Sequence, residues 1–283
     1  MYDSILLPVD EAAAESSLLY HAAELANWDD ARVELLFVAD TNRDSVTVSE
    51  GNVIDVLVDE GEKVVDEASR LLDSLGVEYT TSVEQGTPAE TIVDYAEKQD
   101  HDLIAIPTHG REGLSRYLLG SVTGKVVRLA PMPVLTAPID EEGFEFPYGG
   151  MLLPTDGSDT ALRAARHGLD FAAELDADVH VITVTEDSML ASAGDAVGEG
   201  ESASQAAIDE IAEAAERRGV DVTTHTETGD TDEEVLACVE QEGLDAIVMG
   251  ATGRSGLDRV LLGSVAEKVV RSADVPVITV GGD

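Results

Sequence analysis

The sequence predicts an α/β protein of two domains, each a five-stranded parallel sheet with helices on both faces. Three observations carry that prediction. Short apolar runs alternate with longer amphipathic runs along the chain, as expected for parallel strands buried on both faces and joined by helical crossovers. The alternation is given twice: residues 77–136 align with 220–279 at a constant offset of 143 positions without a gap, and Leu6-Leu-Pro-Val-Asp10 recurs as Leu152-Leu-Pro-Thr-Asp156 at an offset of 146. Finally, 283 residues suffice for two hydrophobic cores, and the repeat has the size of a whole domain rather than of a solenoid unit.

In the first repeat, residues 4–9 form a buried-type strand that ends at Asp10. A helix follows over 12–27, with Leu18, Leu19, Ala22 and Leu25 on one side, and then a strand over 32–39. Residues 40–51 are polar and loop-like, and 53–75 read as a long helix stopped by Gly76. A strand at 77–83 leads to a helix opened by Pro88, which suits a first helical turn, and running to Glu97. A strand at 102–106, a glycine loop, a helix at 122–129 and a strand at 134–138 complete the unit. The second repeat gives strands at 150–154, 178–184, 220–227, 246–249 and 275–280, and helices at 160–175, 205–218, 233–241 and 264–272. Residues 188–204 are small, acidic and loop-like. The domain boundaries expected are 1–138 and 150–283, with 139–149 as the linker.

One stretch in each repeat points to a ligand. In the second, the apolar run Ala246-Ile-Val-Met249 leads into Gly250-Ala-Thr-Gly253-Arg and ends at Gly263-Ser264, a G-x2-G-x9-G-S pattern. Val265 and Ala266 then begin an amphipathic helix. Glycines let backbone N–H groups approach a phosphate, and a helix N-terminus offers unpaired donors and a positive dipole end. Ser264 falls near the N-cap, where its hydroxyl can bond backbone or phosphate. The first repeat keeps the spacing as Pro107-Thr-His109-Gly110 through Gly120-Ser121, followed by Val122 and Thr123. Without a ligand, the same loops would serve only as helix caps. Because ligands in such sheets sit beyond the carboxyl ends of strands where strand order reverses, Asp10 and Asp156 can share a crevice with these loops. Their bland alternative is helix N-capping.

The two loops are unequal. Pro107 has no N–H and a fixed φ where the second repeat has Gly250, so the second site is expected to bind more tightly. Thr123, opposite Ala266, and His109, opposite Thr252, could recover part of the difference for the first site.

Composition narrows the classes. Net charge is −41 and only 17 residues are Lys or Arg, so no basic face is available for nucleic acid. With 43% apolar residues in periodic runs, the acidity reads as adaptation to a salty cytosol rather than as disorder. Eight of the 17 cations lie in the two loop-and-helix windows: Arg111, Arg116, Lys125 and Arg128, then Arg254, Arg259, Lys268 and Arg271. Clustering of that kind attracts phosphate, although cations late in a helix also complement its dipole. No apolar run reaches about 18 residues and no signal peptide precedes Tyr2, so a cytoplasmic protein with no membrane partner is expected. Cys238, the single cysteine, reads as a small core residue. The six histidines have no metal-ligand spacing, no P-loop or G-x-G-x-x-G occurs, and no nucleophile–base pair stands out, so neither a metal site nor a catalytic residue is expected.

Each half resembles a universal stress protein domain. The resemblance rests on the V-D or T-D that ends the first strand, on G-x2-G-x9-G-S, and on the P-V-I-T run of the terminal strand. It covers nearly the whole chain. It implies a Rossmann-like fold of the adenine nucleotide alpha hydrolase type, and a site for ATP or a related adenine nucleotide, with or without Mg²⁺. In the second repeat, Thr155 and Asp156 would lie at the adenine and ribose end and Val184 beside adenine. Met249, Gly250, Thr252, Gly253, Arg254, Gly263, Ser264, Val265 and Ala266 would hold ribose and phosphates. The weaker first site would use Val9, Asp10, Val38, His109, Gly110, Gly120, Ser121, Val122 and Thr123. The resemblance further implies a role in stress response or sensing, and an internal pseudo-dimer in which the terminal strands of the two halves pair, with a further homodimer open. Two alternatives remain: a nucleotide-independent interaction module, and a slow ATPase.

Overall fold

The computed structural model describes residues 1–281 except 12, 14–15, 42–45, 50–51, 109–118, 139–143, 186–195 and 253–261. The chain divides into two compact units, one spanning Tyr2–Phe146 and one Pro147–Asp283.

In the first unit the elements are β1 (Ser4–Pro8), α1 (Ser17–Asp29), β2 (Arg32–Asp40), β3 (Val46–Ser49), β4 (Asn52–Asp55), α2 (Val56–Leu75), β5 (Tyr79–Gly86), α3 (Pro88–Lys98), β6 (Leu103–Pro107), α4 (Ser121–Leu129) and β7 (Val134–Ala137). The main sheet runs β7-β6-β1-β2-β5 and every pairing within it is parallel. Helix α1 packs with α2, and α3 with α4, so the sheet is covered on both faces. Central strands β1 and β6 are buried along their whole length, which is why their sequences are unbroken apolar runs. Edge strand β5 is largely polar and open.

The second unit repeats the plan with β8 (Gly150–Pro154), α5 (Asp159–Leu175), β9 (Asp178–Thr185), α6 (Ala196–Glu216), β10 (Val222–Thr228), α7 (Thr231–Glu242), β11 (Ala246–Gly250), α8 (Ser264–Ser272) and β12 (Val277–Val280). Its strand order is β10-β9-β8-β11-β12, again all parallel. The duplication reaches backbone detail. Helices α1 and α5 end at Asp30 and Asp176, both left-handed at φ 56°, and each cap N–H bonds the carbonyl four residues back. Aspartate tolerates this conformation better than most residues.

Three elements differ from the sequence expectation. Residues 46–55, read as loop and helix start, hold the antiparallel β3–β4 hairpin, and α2 begins at Val56. Helix α6 starts at Ala196, earlier than its apolar periodicity begins; its first turns are built of small and acidic residues that carry no hydrophobic stripe. Helix α1 starts at Ser17, five residues later than expected, with Ser16 as its N-cap.

Candidate functional site

In each unit the strand order reverses between the first strand and the fourth. At that point the pairing is short. Strands β8 and β11 register only through Ala246↔Met151 and Ile247↔Leu152, while β8 pairs with β9 along its whole length to Pro154↔Ile182. The carboxyl ends of β8 and β11 therefore part, opening a crevice where such folds take ligands. The same holds for β1 and β6, registered only at Ile5↔Leu103 and Leu6↔Ile104.

One wall of the second crevice is the turn after β8. Thr155 N–H donates to Ile182 O at 2.9 Å, and Asp156 Oδ1 accepts from Ser158 N–H at 2.9 Å. Ser158, not Asp156, caps α5: its hydroxyl accepts from Ala161 N–H at 3.2 Å. The first unit agrees, with Asp10 Oδ1 accepting from Ala13 N–H at 2.8 Å and Ser16 capping α1. Both aspartates thus shape the turn and leave the cap to a serine. Val38 and Val184 are half-buried near the ends of β2 and β9, whereas Val9 and Thr155 are buried.

The opposite wall is the glycine loop. Its returning end is fixed identically in both units. Gly263 N–H donates to Ala251 O at 2.8 Å and Gly120 N–H to Thr108 O at 2.7 Å. These glycines are the N-caps of α8 and α4, with φ −63° and −58°, and neither helix has a side-chain cap. Glycine leaves the first-turn N–H groups of Ser264, Val265 and Ala266, and of Ser121, Val122 and Thr123, without the serine or aspartate oxygen that normally satisfies them. Ser264 and Ser121 stand at the first helical position rather than at the cap, and both are exposed.

The loop's departing end distinguishes the units. A Cβ on Gly250 would meet Thr160 Cγ2 at 3.0 Å and the backbone at Ala161 N and Thr160 C at 3.1 Å. Gly250 is therefore favoured by the close approach of the first turn of α5. Thr160 Oγ1 lies 3.3 Å from Thr252 Oγ1 and accepts from Arg163 Nη2 at 3.2 Å, tying that turn to the loop. In the first unit Pro107 ends β6, and its carbonyl accepts from the buried Thr123 hydroxyl at 2.7 Å. The Thr123 proton is thus spent on the strand rather than turned toward the crevice. Met249, the fourth residue of β11, is buried.

His109, Gly110, Gly253 and Arg254 lie outside the described residues, as do Arg111, Arg116 and Arg259. Lys268 is turned to α7, where its Nζ donates to Asp232 at 2.7 Å. Sequence reasoning missed Thr160 and Arg163, because they lie outside the glycine motif and meet it only through the fold. It also missed that His180 and His225 meet across β9 and β10, with Nδ1 and Nε2 2.9 Å apart. Among the described residues no group of three or more His, Cys, Asp or Glu is arranged to hold a metal. Cys238 is buried, and burial pushes its thiol up to about 11, with Glu242 and Glu227 adding to the shift. No helix of the described residues is long and apolar enough to cross a membrane.

Comparison with known proteins agrees with this architecture. The model of the universal stress protein family matches residues 1–138 and again 147–281. A universal stress protein of Methanocaldococcus jannaschii is 39% identical over 138 residues, which is 48% of this chain and 81% of that protein. One of Mycolicibacterium smegmatis is 26% identical over 286 residues, covering 98% of this chain and 96% of its own. In fold, the crystal structure of a universal stress protein from Archaeoglobus fulgidus superposes with a TM-score of 0.75 at 24% identity, over 98% of both chains. With a family match in each half and relatives spanning the whole length, the chain belongs to the universal stress protein family and carries two of its domains in tandem.

Proposed function

We propose that the protein binds ATP or a related adenine nucleotide in these crevices, chiefly the second, and acts through it in stress response or sensing in the cytoplasm. The observation that supports this reading is the pair of glycine-capped helices α4 and α8. Their first-turn donors have no side-chain cap, and each glycine is tethered to the strand bordering the switch point. A helix N-terminus left open beside a strand-end crevice suits an anion. The half-buried Val184 offers an apolar contact for the base, and Asp156 carries a carboxylate for ribose or adenine donors. Mg²⁺ would accompany the phosphates rather than occupy a protein cage, in keeping with its preference for retained waters and phosphate oxygens.

Mass spectrometry of small molecules released from denatured, freshly purified protein tests the reading. Calorimetric titration of nucleotide-free protein with ATP follows. An adenine nucleotide in the released fraction, or saturable ATP binding, is the expected result. Failure to bind any adenine nucleotide would leave the loops as helix caps and the protein as an interaction module. Phosphate release with Mg²⁺ well above background would instead mark an ATPase.

A further inference from the structure

We propose that Arg163 makes the second crevice discriminate among adenine compounds by their number of phosphates, a proposal that rests on the nucleotide reading of that site. Arg163 is the fifth residue of α5, just behind the turn that closes on Gly250. Its Nη2 donates to Thr160 Oγ1 at 3.2 Å, and Thr160 Oγ1 is 3.3 Å from Thr252 Oγ1 in the glycine loop. The guanidinium is thus linked to the loop through a single hydroxyl.

One further donor of the guanidinium is unsatisfied. Its Nε is buried and has no hydrogen-bond partner, and among the described residues it forms no ion pair. In a chain with 58 Asp and Glu, that is an unusual position for a half-buried cation. Two other arginines, one on α5 and one in the turn after α6, show the ordinary solution: Arg166 pairs with Glu210 at 2.8 Å and Arg218 with Asp170 at 2.7 Å. Arg128 and Arg271 also bury an unpartnered Nε, but they lie in the last turns of α4 and α8, where the helix dipole favours a cation. Arg163 lies near the N-terminal end of its helix, where the dipole offers a cation nothing. An anion from outside the chain would supply the partner that the described residues do not. A planar guanidinium with an unpartnered donor, tied through Thr160 to a phosphate-type loop, suits phosphate oxygens. The repeat places Ser17 at the equivalent position of the first unit, so this charge is peculiar to the second crevice.

Titrations of the full-length protein with ATP, ADP and adenosine, at one fixed KCl concentration, test the proposal on R163S and R163Q. R163S installs the residue the first unit already uses, and R163Q keeps length and polarity without charge. Expected is a loss of ATP affinity of about tenfold or more in the tighter phase, a smaller loss for ADP and none for adenosine. Inorganic tripolyphosphate should compete with ATP less well in the variants than in the parent. Equal losses for ATP and adenosine would reduce Arg163 to a packing residue and overturn the proposal, as would unchanged ATP affinity. If R163S does not fold, the ATP-to-adenosine affinity ratio of R163Q decides in the same way. If the parent protein binds neither ATP nor adenosine, the nucleotide reading fails first, and this proposal falls with it.

Discussion

Gly250 and Thr160 approach so closely that a Cβ on the glycine would lie 3.0 Å from Thr160 Cγ2. This contact, together with the missing N–H of Pro107, sets the two crevices apart. In the second unit α5 begins at Asp159, three residues after Asp156, and its first turn seals the loop's departure. In the first unit the helix begins at Ser17, seven residues after Asp10. Gly250→Ala should push the first turn of α5 outward by a few tenths of an ångström and cost about 1 kcal/mol of stability. Gly250→Pro should weaken ATP binding by about one to two decades while Pro107→Gly strengthens the first site at most slightly. Calorimetric titration of the two variants checks this. Unchanged affinity and stoichiometry in Gly250→Pro would reverse the assignment of the tighter site.

Thr123 tests a different link. Its hydroxyl is buried and bonds the Pro107 carbonyl at 2.7 Å, so it holds α4 against the end of β6. Thr123→Val keeps shape and removes the donor, leaving a buried carbonyl without its side-chain partner. The expected cost is about 1–3 kcal/mol, read as a lower urea midpoint with an unchanged slope. Any nucleotide affinity of the first site should fall only through the loosened loop. A Thr123→Val protein as stable as the parent, but unable to bind at the first site, would instead make the hydroxyl a ligand contact.

The alternation of apolar runs made the succession of strands and helices in each unit legible, because buried parallel strands such as β6 and β11 have no polar face to confuse the period. The glycine spacing made the loop legible for the same local reason. The start of α1 was not legible. Residues 11–15 have helix-favouring composition, yet the cap at Ser16, reinforced by its bond to Ala13 O at 2.8 Å, sets the boundary. Arg163 was illegible because its bond to Thr160 and its buried, unpartnered Nε arise only from packing. The meeting of His180 with His225 depends on the register of β9 against β10, Thr223↔His180 and His225↔Ile182, which no one-dimensional spacing encodes.

Buried histidines should make the fold acid-sensitive well above the range of carboxylate titration. Burial lowers His21 and His167 to about 4, and also lowers His101 and His180. For His101 the opposing influence of Glu34 is outweighed. Each folded-state value lies below the ordinary 6.5, so between the two values the unfolded chain binds more protons. Stability contributed by the neutral ring is present above about pH 6.5 and is lost as pH falls toward 4. For His21, 1% exposed and edge-on to Phe144 and Phe146, the loss should reach about 2 kcal/mol by pH 5. Urea midpoints at pH 7 and pH 5 should therefore differ less in His21→Phe than in the parent. Identical pH dependence in the two proteins would show that His21 does not titrate in this range.

Salt dependence follows from a comparison of two electrostatic effects of opposite sign. Salt weakens favourable pairs, and those among the described residues include Arg166–Glu210 at 2.8 Å, Arg218–Asp170 at 2.7 Å, Lys268–Asp232 at 2.7 Å and Lys98–Asp94 at 3.6 Å, all with at least one well-exposed partner. Such pairs contribute about 0–1 kcal/mol each, so screening them costs little. Salt also relieves the mutual repulsion of a chain at −41. That repulsion acts between many charges separated by more than about 3 Å, the Debye length at 1 M, and is largely removed there. Relief outweighs loss, and we expect Tm to rise steeply between dilute buffer and molar KCl and to level off once the Debye length is shorter than the spacing of surface carboxylates. Scanning calorimetry across that range at pH 7 checks it, with KCl compared against an equal concentration of a neutral osmolyte. A flat Tm in KCl, or an equal rise with the osmolyte, would show that charge repulsion does not limit the stability of this fold.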